Sequence, residues 1–233
     1  ITGRPYREEP AIMAWQLCNE PRPFARDSVT KEMFAGWIAR AAARIKHLDP
    51  NHLVSTGSEG MVGCEADMAL CERIHADENI DYLTLHIWPI NWGWASRTDP
   101  DSGIDNACAK SSQYIALHTE MASRLGKPLV IEEFGYARQG NRAGIGIPTE
   151  SKDRFYHHIF GEVERSIAEG GPIAGSNFWG WSGSGRPHQE VWQAGDDYLC
   201  DPPHEPQGWY SVFDCDTTTI DIIKKYSKAI TEK

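Results

Sequence analysis

Two glutamates follow apolar segments, at positions where acid–base chemistry is commonly found. Glu20 comes directly after the apolar run 11–18 and Asn19. The length and content of that run predict a strand buried on both faces, as in a parallel sheet. Glu133 lies near the end of a second segment, 127–135, whose residues 129–131 are apolar. We therefore expect both carboxylates at the carboxyl ends of parallel strands, where α/β folds place their active sites.

Paired carboxylates suit the cleavage of a glycosidic bond. One acid holds a proton for the departing oxygen, and the other stays ionised against the anomeric carbon. A single glutamate after a strand is read equally well as a solvated turn residue. The second one favours the chemical interpretation. Glu132 precedes Glu133, and because side chains alternate along a strand, only one of the two points into a cleft.

The elements that would position these acids alternate regularly along the chain. Apolar strand-like runs are followed by stretches with helical periodicity, in the order β-α-β-α-β-α-β-α-β-α. The predicted strands are 11–18, 52–56, 80–87, 127–135 and 172–181, and the predicted helices begin near residues 28, 64, 101, 148 and 216. There are no internal repeats, linkers or low-complexity segments. The pattern predicts an α/β fold with a parallel sheet.

Composition restricts the class of protein. The chain has 233 residues, 40% of them hydrophobic, which is enough for one domain with a sizeable core. Its formal net charge of −10 argues against nucleic acid and anionic membranes as partners. No apolar run reaches membrane-spanning length. Nine tryptophans offer flat apolar faces that stack on sugar rings, although core packing explains any one of them equally well.

The cysteines and histidines do not predict a metal site or a cofactor. The six cysteines show no CxxC spacing, and there is no HExxH motif. Cys64 with Cys71, and Cys200 with Cys215, lie in irregular regions and are candidates for bridges. Cys18 lies in a predicted core strand, which favours a buried thiol.

Four segments together resemble glycoside hydrolase family 5, most closely its endo-β-1,4-mannanase branch. They are Trp15-Gln-Leu-Cys-Asn-Glu-Pro, Leu85-His-Ile-Trp-Pro, Ile131-Glu-Glu-Phe-Gly and Asn177-Phe-Trp-Gly. Each is weak alone, but their order is specific as a set. The resemblance implies a retaining hydrolase on a (β/α)8 TIM barrel. The Asn-Glu strand is the fourth in that family, so residues 1–233 are expected to be the C-terminal part of one catalytic barrel domain, its fourth to eighth βα units.

The resemblance implies roles for the two glutamates. Glu20 corresponds to the general acid/base and Glu133 to the nucleophile, and Glu132 would then face the helix layer or the rim. Asn19 corresponds to an asparagine that binds the sugar 2-hydroxyl.

Further substrate-binding residues are expected on the same face. His86 corresponds to the family histidine of the sixth strand, and Trp179 to the tryptophan that forms a sugar platform. Trp88 stands where the family more commonly has tyrosine, so its role is an open question. Glu59, after the strand 52–56, is read either as a substrate contact or as a loop acid.

The expected function is therefore endo-acting, retaining cleavage of β-1,4-mannosidic bonds in mannan, galactomannan or glucomannan. Two alternatives remain open: an endo-β-1,4-glucanase of the same family, and a barrel fragment that binds carbohydrate without catalysis. The expected partner besides the polysaccharide is the missing N-terminal part of the barrel, on another chain or segment. A secreted, periplasmic or cell-surface location follows from the resemblance, not from the cysteines.

Overall fold

The fold is α/β, as predicted, and the five main strands alternate with five helices. The computed structural model describes residues 3–231, so the first two and last two residues of the predicted domain lie outside it. The strands are β1 (Ala14–Gln16), β2 (Leu53–Ser55), β3 (Leu83–Ile87), β4 (Leu129–Phe134), β5 (Ile173–Ser176), β6 (Trp181–Gly183) and β7 (Val212–Phe213). The helices are α1 (Ser28–Leu48), α2 (Met68–Ala76), α3 (Ile104–Leu125), α4 (Glu150–Ala168) and α5 (Thr217–Thr231).

The chain divides into two compact units. The first contains the residues up to His86 together with His118–Glu132 and Pro172–Ala174. The second contains Ile87–Leu117, Glu133–Gly171 and the residues from Gly175 onward. Strands β3, β4 and β5 form one sheet with β4 in the middle. Because the two units divide β4 between residues 132 and 133, Glu132 belongs to the first unit and Glu133 to the second.

In the first unit, β1 and β2 pair in parallel, with Trp15 opposite Val54. The prediction that the first strand is buried on both faces is wrong: Gln16 is exposed, and Ala14 and Trp15 are only partly buried. The physical reason is the pairing, since among residues 3–231 this strand is hydrogen-bonded to β2 alone.

Helix α1 begins at Ser28, where the sequence predicts its start. Its N-cap is Asp27, because the Asp27 carboxylate accepts a hydrogen bond from the Thr30 backbone N–H at 2.8 Å. The helix buries Ile38 and Ala42 completely. Leu48, the last residue of the helix, is exposed.

The second unit has an aromatic core around β4. Phe134 lies edge-on to Tyr156 and Phe160 of α4, with ring centroids 5.1 and 5.2 Å apart. The segment 182–212 starts and ends in the short parallel strands β6 and β7. Sequence patterns miss these strands because each has only two or three residues and they pair across a long separation.

Two further predictions concern the whole chain. All six cysteines are free thiols in the structure, so neither suggested bridge is present. Among the described helices, none combines the length and the apolar content that crossing a bilayer requires.

Candidate active site

Glu20 lies in the first unit, four residues beyond the end of β1, with its backbone in the left-handed region (φ 49°). A residue with a Cβ atom adopts this region at a cost of about 1–2 kcal/mol. Its N–H donates to the Gly57 carbonyl at 2.9 Å, which holds the strained turn against the end of β2. Gly57 itself has a positive φ, and a Cβ there would lie 2.0 Å from the Cys18 carbonyl oxygen. A glycine is therefore required for this close approach.

His86 is the hydrogen-bond partner of Glu20. It is buried near the end of β3, and its Nδ1 lies 2.9 Å from Oε1 of Glu20. Its backbone N–H points to the Glu59 carbonyl at 3.4 Å. The imidazole thus fixes the orientation of the Glu20 carboxyl group.

Glu59 is fully buried and ion-paired with Arg22. Burial and, second to it, the Glu20 carboxylate raise the pKa of Glu59 to about 7, against the opposing charge of Arg22. The structure therefore brings Glu20, His86 and Glu59 together, as the sequence predicted for residues at strand ends. Arg22, only two residues after Glu20, was missed. A lone arginine in a turn carries no signal of a buried ionic partner.

Asn19 is exposed beside Glu20, at the edge of a groove. This groove has a volume of about 530 Å³ and is lined by Asn19, Glu20, Arg22 and the apolar side chains of Phe24, Met33 and Trp37. Asn19 and Glu20 lie at its polar end, and the apolar side chains form its other wall.

The expectation that Glu132 faces the helix layer or the rim is wrong. Its carboxylate accepts a hydrogen bond from the Gln16 side chain, and its Oε2 lies 3.8 Å from Nε2 of His86. Both neighbours are strand residues. Glu132 therefore points along the sheet, towards the other strands of the first unit.

In the second unit, Glu133 and Phe134 end β4 and Gly135 follows. A Cβ atom on Gly135 would lie 2.8 Å from the Trp88 ring, 3.0 Å from the Trp179 carbonyl and 3.1 Å from the Tyr210 ring. The absence of a side chain at Gly135 lets these aromatic residues close around the strand end.

Trp88 is largely buried in that cluster. Its ring lies 6.4 Å from the Trp179 ring, edge-on, and 4.9 Å from the Tyr210 ring. This packing favours a supporting role, and the predicted contact with substrate stays a prediction. Tyr210 was missed by the sequence analysis, because it lies in a long irregular segment with no motif around it.

Trp179 lies beyond the end of β5, which stops at Ser176. Its backbone N–H donates to the Phe134 carbonyl at 2.9 Å, and its carbonyl accepts from the Tyr156 hydroxyl at 3.2 Å. The peptide bond that follows it, to Gly180, is cis. Trp179 as a whole residue is partly buried.

Trp92 and Trp94, in the loop after Trp88, mainly contact each other. Their rings are 4.9 Å apart and both lie edge-on to Tyr114 of α3. These contacts anchor the loop on the helix.

Comparison with known proteins identifies the family of this chain. A family model described as GH family 5 beta-mannosidase-like matches residues 1–233. A putative mannan endo-1,4-beta-mannosidase 5 of Oryza sativa subsp. japonica is 30% identical over 217 residues, which cover 86% of this chain and 40% of the relative. Mannan endo-1,4-beta-mannosidase 1 of Arabidopsis thaliana is 30% identical over 77% of this chain and 44% of its own length.

Solved structures agree with this. A glycoside hydrolase family 5 mannosidase from Rhizomucor miehei superposes with a TM-score of 0.86 at 35% identity, covering 100% of this chain and 54% of that one. An endo-beta-1,4-mannanase from Thermotoga petrophila gives 0.67 at 26% identity, covering 98% and 46%. The chain thus has the α/β fold of these barrel enzymes and spans about half of their length.

Proposed function

Because the chain belongs to the GH family 5 beta-mannosidase-like family, we propose that it supplies the catalytic acids of a retaining β-1,4-mannan hydrolase. The substrates would be mannan, galactomannan or glucomannan. The observation that carries the proposal is the Glu20–His86 pair at the strand ends of a chain whose relatives bear mannan endo-1,4-beta-mannosidase names. One mutant of the Rhizomucor miehei mannosidase was solved in complex with mannosyl-fructose, a mannose-containing sugar.

The proposed reaction is a double displacement. Glu133 attacks the anomeric carbon, forming a glycosyl-enzyme ester, while Glu20 donates its proton to the departing glycosidic oxygen. Glu20 then takes a proton from water, whose oxygen attacks the anomeric carbon and releases Glu133. Retention in this class requires the two carboxyl groups to be about 5–5.5 Å apart.

The remaining residues would position the sugar. Asn19 is proposed to bind the 2-hydroxyl beside Glu20, and Trp179 to stack against a sugar face. Glu59 is fully buried, so it is proposed to act through Arg22, whose partly exposed guanidinium would bind a neighbouring sugar unit. Trp88 would act mainly by supporting Trp179. No cofactor or metal is needed for these steps, and a rate that is insensitive to EDTA is the expected outcome.

The test of the chemistry is substitution of the two acids in the native protein. Glu20→Gln and Glu133→Gln should each lower kcat on galactomannan by about 10²–10⁴-fold, because each removes one of the two groups that the reaction uses. Glu120→Gln, on the exposed face of α3, is the matched control and should be silent. Full turnover by Glu133→Gln with the same product would refute the assignment, and hydrolysis of carboxymethylcellulose in preference to galactomannan would indicate the glucanase instead.

A second candidate is removal of single mannose units from chain ends. It is favoured by the greater similarity to the Rhizomucor miehei mannosidase than to the Thermotoga petrophila endo-mannanase. Product analysis separates the two: an endo-acting enzyme releases mixed oligosaccharides early, whereas an exo-acting enzyme releases mannose from the start.

We further propose that residues 1–233 form the C-terminal part of a single catalytic domain, completed by the earlier βα units of the barrel. The support is the 40–54% coverage of relatives and the unpaired edge of β1 among residues 3–231. A secreted, periplasmic or cell-surface location is proposed on the basis of the family. Mass analysis of the native protein tests the first point, since an active 26 kDa monomer would contradict it.

A further inference from the structure

Tyr210 is held at the centre of the aromatic cluster that follows Glu133. Its ring is buried and lies 4.9 Å from the Trp88 ring and 4.3 Å from the Trp209 ring. Its hydroxyl donates to the side-chain oxygen of Asn91, in the loop after Trp88. Tyr210 therefore contacts Trp88 with its ring and fixes the following loop with its hydroxyl.

The backbone of Tyr210 is bound by side chains rather than by a neighbouring strand. The Asp201 carboxylate accepts from the N–H of Gly208 at 2.9 Å and of Tyr210 at 2.7 Å. On the other side, Nζ of Lys152 donates to the carbonyls of Tyr210 at 3.1 Å and Ser211 at 2.8 Å. Both backbone polar groups of Tyr210 are thus engaged by buried charged residues.

Arg138 and Asp216 complete this arrangement. The Arg138 guanidinium binds both oxygens of Asp216 and donates to the Ser211 carbonyl at 3.0 Å and the Gly208 carbonyl at 3.3 Å. The buried group therefore combines two basic and two acidic side chains. We call Lys152, Arg138, Asp201 and Asp216 the charged clamp.

A buried clamp of this kind is costly, since each charge must be removed from water. Burial lowers the pKa of Lys152 to about 7, which reflects that cost. Apolar residues would fill the same volume with a smaller desolvation penalty, but they would not hold individual backbone groups in place. The clamp is directed at one short segment, Gly208 to Ser211, and that segment carries the ring that packs on Trp88.

We propose that Tyr210 is a positioning residue for the active site: it fixes Trp88, and through Trp88 the Trp179 platform and the strand end after Glu133, while the charged clamp fixes Tyr210. This inference rests on the proposed function for its catalytic consequence. It assigns a role to a lysine, an arginine and two aspartates that the double displacement does not use.

The test combines kinetics with a spectroscopic signal. Tyr210→Leu should lower kcat/KM on galactomannan at least tenfold and weaken the near-UV circular dichroism of the Trp88–Tyr210 contact. Tyr210→Phe keeps the ring and should stay within about threefold of the wild type. Lys152→Met should resemble Tyr210→Leu in both measurements, whereas Lys110→Met, an exposed lysine of α3, should change neither.

The outcomes separate the two proposals. If Tyr210→Leu folds cooperatively but keeps the wild-type kcat/KM, the positioning role is refuted. If Lys152→Met leaves the near-UV spectrum unchanged, the clamp does not hold Tyr210. Should Lys152→Met fail to fold, Asp201→Asn replaces it, because asparagine keeps the shape and loses the charge. An inactive wild-type protein would refute the proposed function, and the near-UV spectra would still decide whether the clamp fixes the ring.

Discussion

At the scale of single residues, the candidate site depends on backbone geometry as much as on the acids themselves. Glu20 lies in a left-handed turn, and its N–H is held by the carbonyl of Gly57. Gly57 can approach Cys18 only because it lacks a side chain. Strain of this kind persists where the surrounding contacts over-determine the conformation, and here those contacts orient the carboxyl group towards His86.

Gly57→Ala should therefore destabilise the folded protein by more than the strain of a positive φ alone. The new methyl group would meet the Cys18 carbonyl, so we expect the free energy of unfolding to fall by at least about 3 kcal/mol and the activity to be lost with it. Gly126→Ala is the control: its φ is also positive, but no atom lies within 4 Å of the added Cβ, so only about 1–2 kcal/mol is expected. Equal urea midpoints for the two variants would show that the close approach at Gly57 is unimportant.

Glu59 should make stability depend on pH. Its pKa is raised from 4.5 to about 7 in the folded state, so the folded protein holds this proton more tightly than the unfolded chain. The resulting stabilisation is fully present below pH 4.5 and is lost as the pH rises through 7, by up to about 3 kcal/mol. Glu59→Gln should remove that loss. Urea unfolding of both proteins at pH 4.5 and 7.5 measures it, and parallel pH dependences would contradict the prediction.

His75 of α2 should give stability a pH dependence opposite to that of Glu59. It is fully buried, with its ring nitrogens 3.0 Å from the Thr56 hydroxyl and 2.8 Å from the Cys71 carbonyl, and burial lowers its pKa to about 4. Acid unfolding must protonate it, so its contribution is present above pH 6.5 and is lost as the pH falls through 4, by about 3 kcal/mol. His75→Gln should lose less stability than the wild type between pH 6.5 and 4. If both proteins lost the same amount over this range, His75 would not be the origin of the effect.

At the scale of elements, local sequence signals determine where helices and strands start. They do not determine how exposed these elements are to solvent. Helix α1 starts at an aspartate cap and buries the small and apolar face that its periodicity predicts. Strand β1 has an apolar sequence but a partly exposed surface, because burial depends on which elements lie beside it. The same local signals predicted the order of all five main strands.

Asp27→Ala tests whether Asp27 caps α1. Losing the bond to the Thr30 N–H should lower Tm by about 2–4 °C, whereas Asp27→Asn keeps an acceptor oxygen and should change Tm little. Calorimetry of the two variants gives the comparison. If Asp27→Ala matched the wild type, Asp27 would not be the effective cap.

At the scale of the whole molecule, the exposed apolar surface of the first unit is the notable feature. Met13, Phe24, Val29 and Met33 are each at least 68% exposed, just before β1 or near the start of α1. A surface of this kind is usually covered in the native protein. The preceding βα units of the barrel are the proposed cover, consistent with a chain that spans about half of its relatives.

Met33→Lys should discriminate between a covered and an open surface. If the earlier barrel units cover α1, a lysine there is buried in the native protein and should lower its Tm by at least about 4 °C. Val191→Lys, in the long loop of the second unit, introduces the same charge at a similarly exposed valine and should have little effect. Equal Tm values for the two variants would show that the α1 surface is open.

The sequence alone determined the order of elements, the strand-end positions of Glu20 and Glu133, and the family, because periodicity and local motifs are written in consecutive residues. Tertiary structure alone decided that Arg22 pairs with Glu59, that Glu132 faces His86, and that Tyr210 supports Trp88. Those relationships join residues tens of positions apart, and only packing determines which buried charge or ring meets which partner.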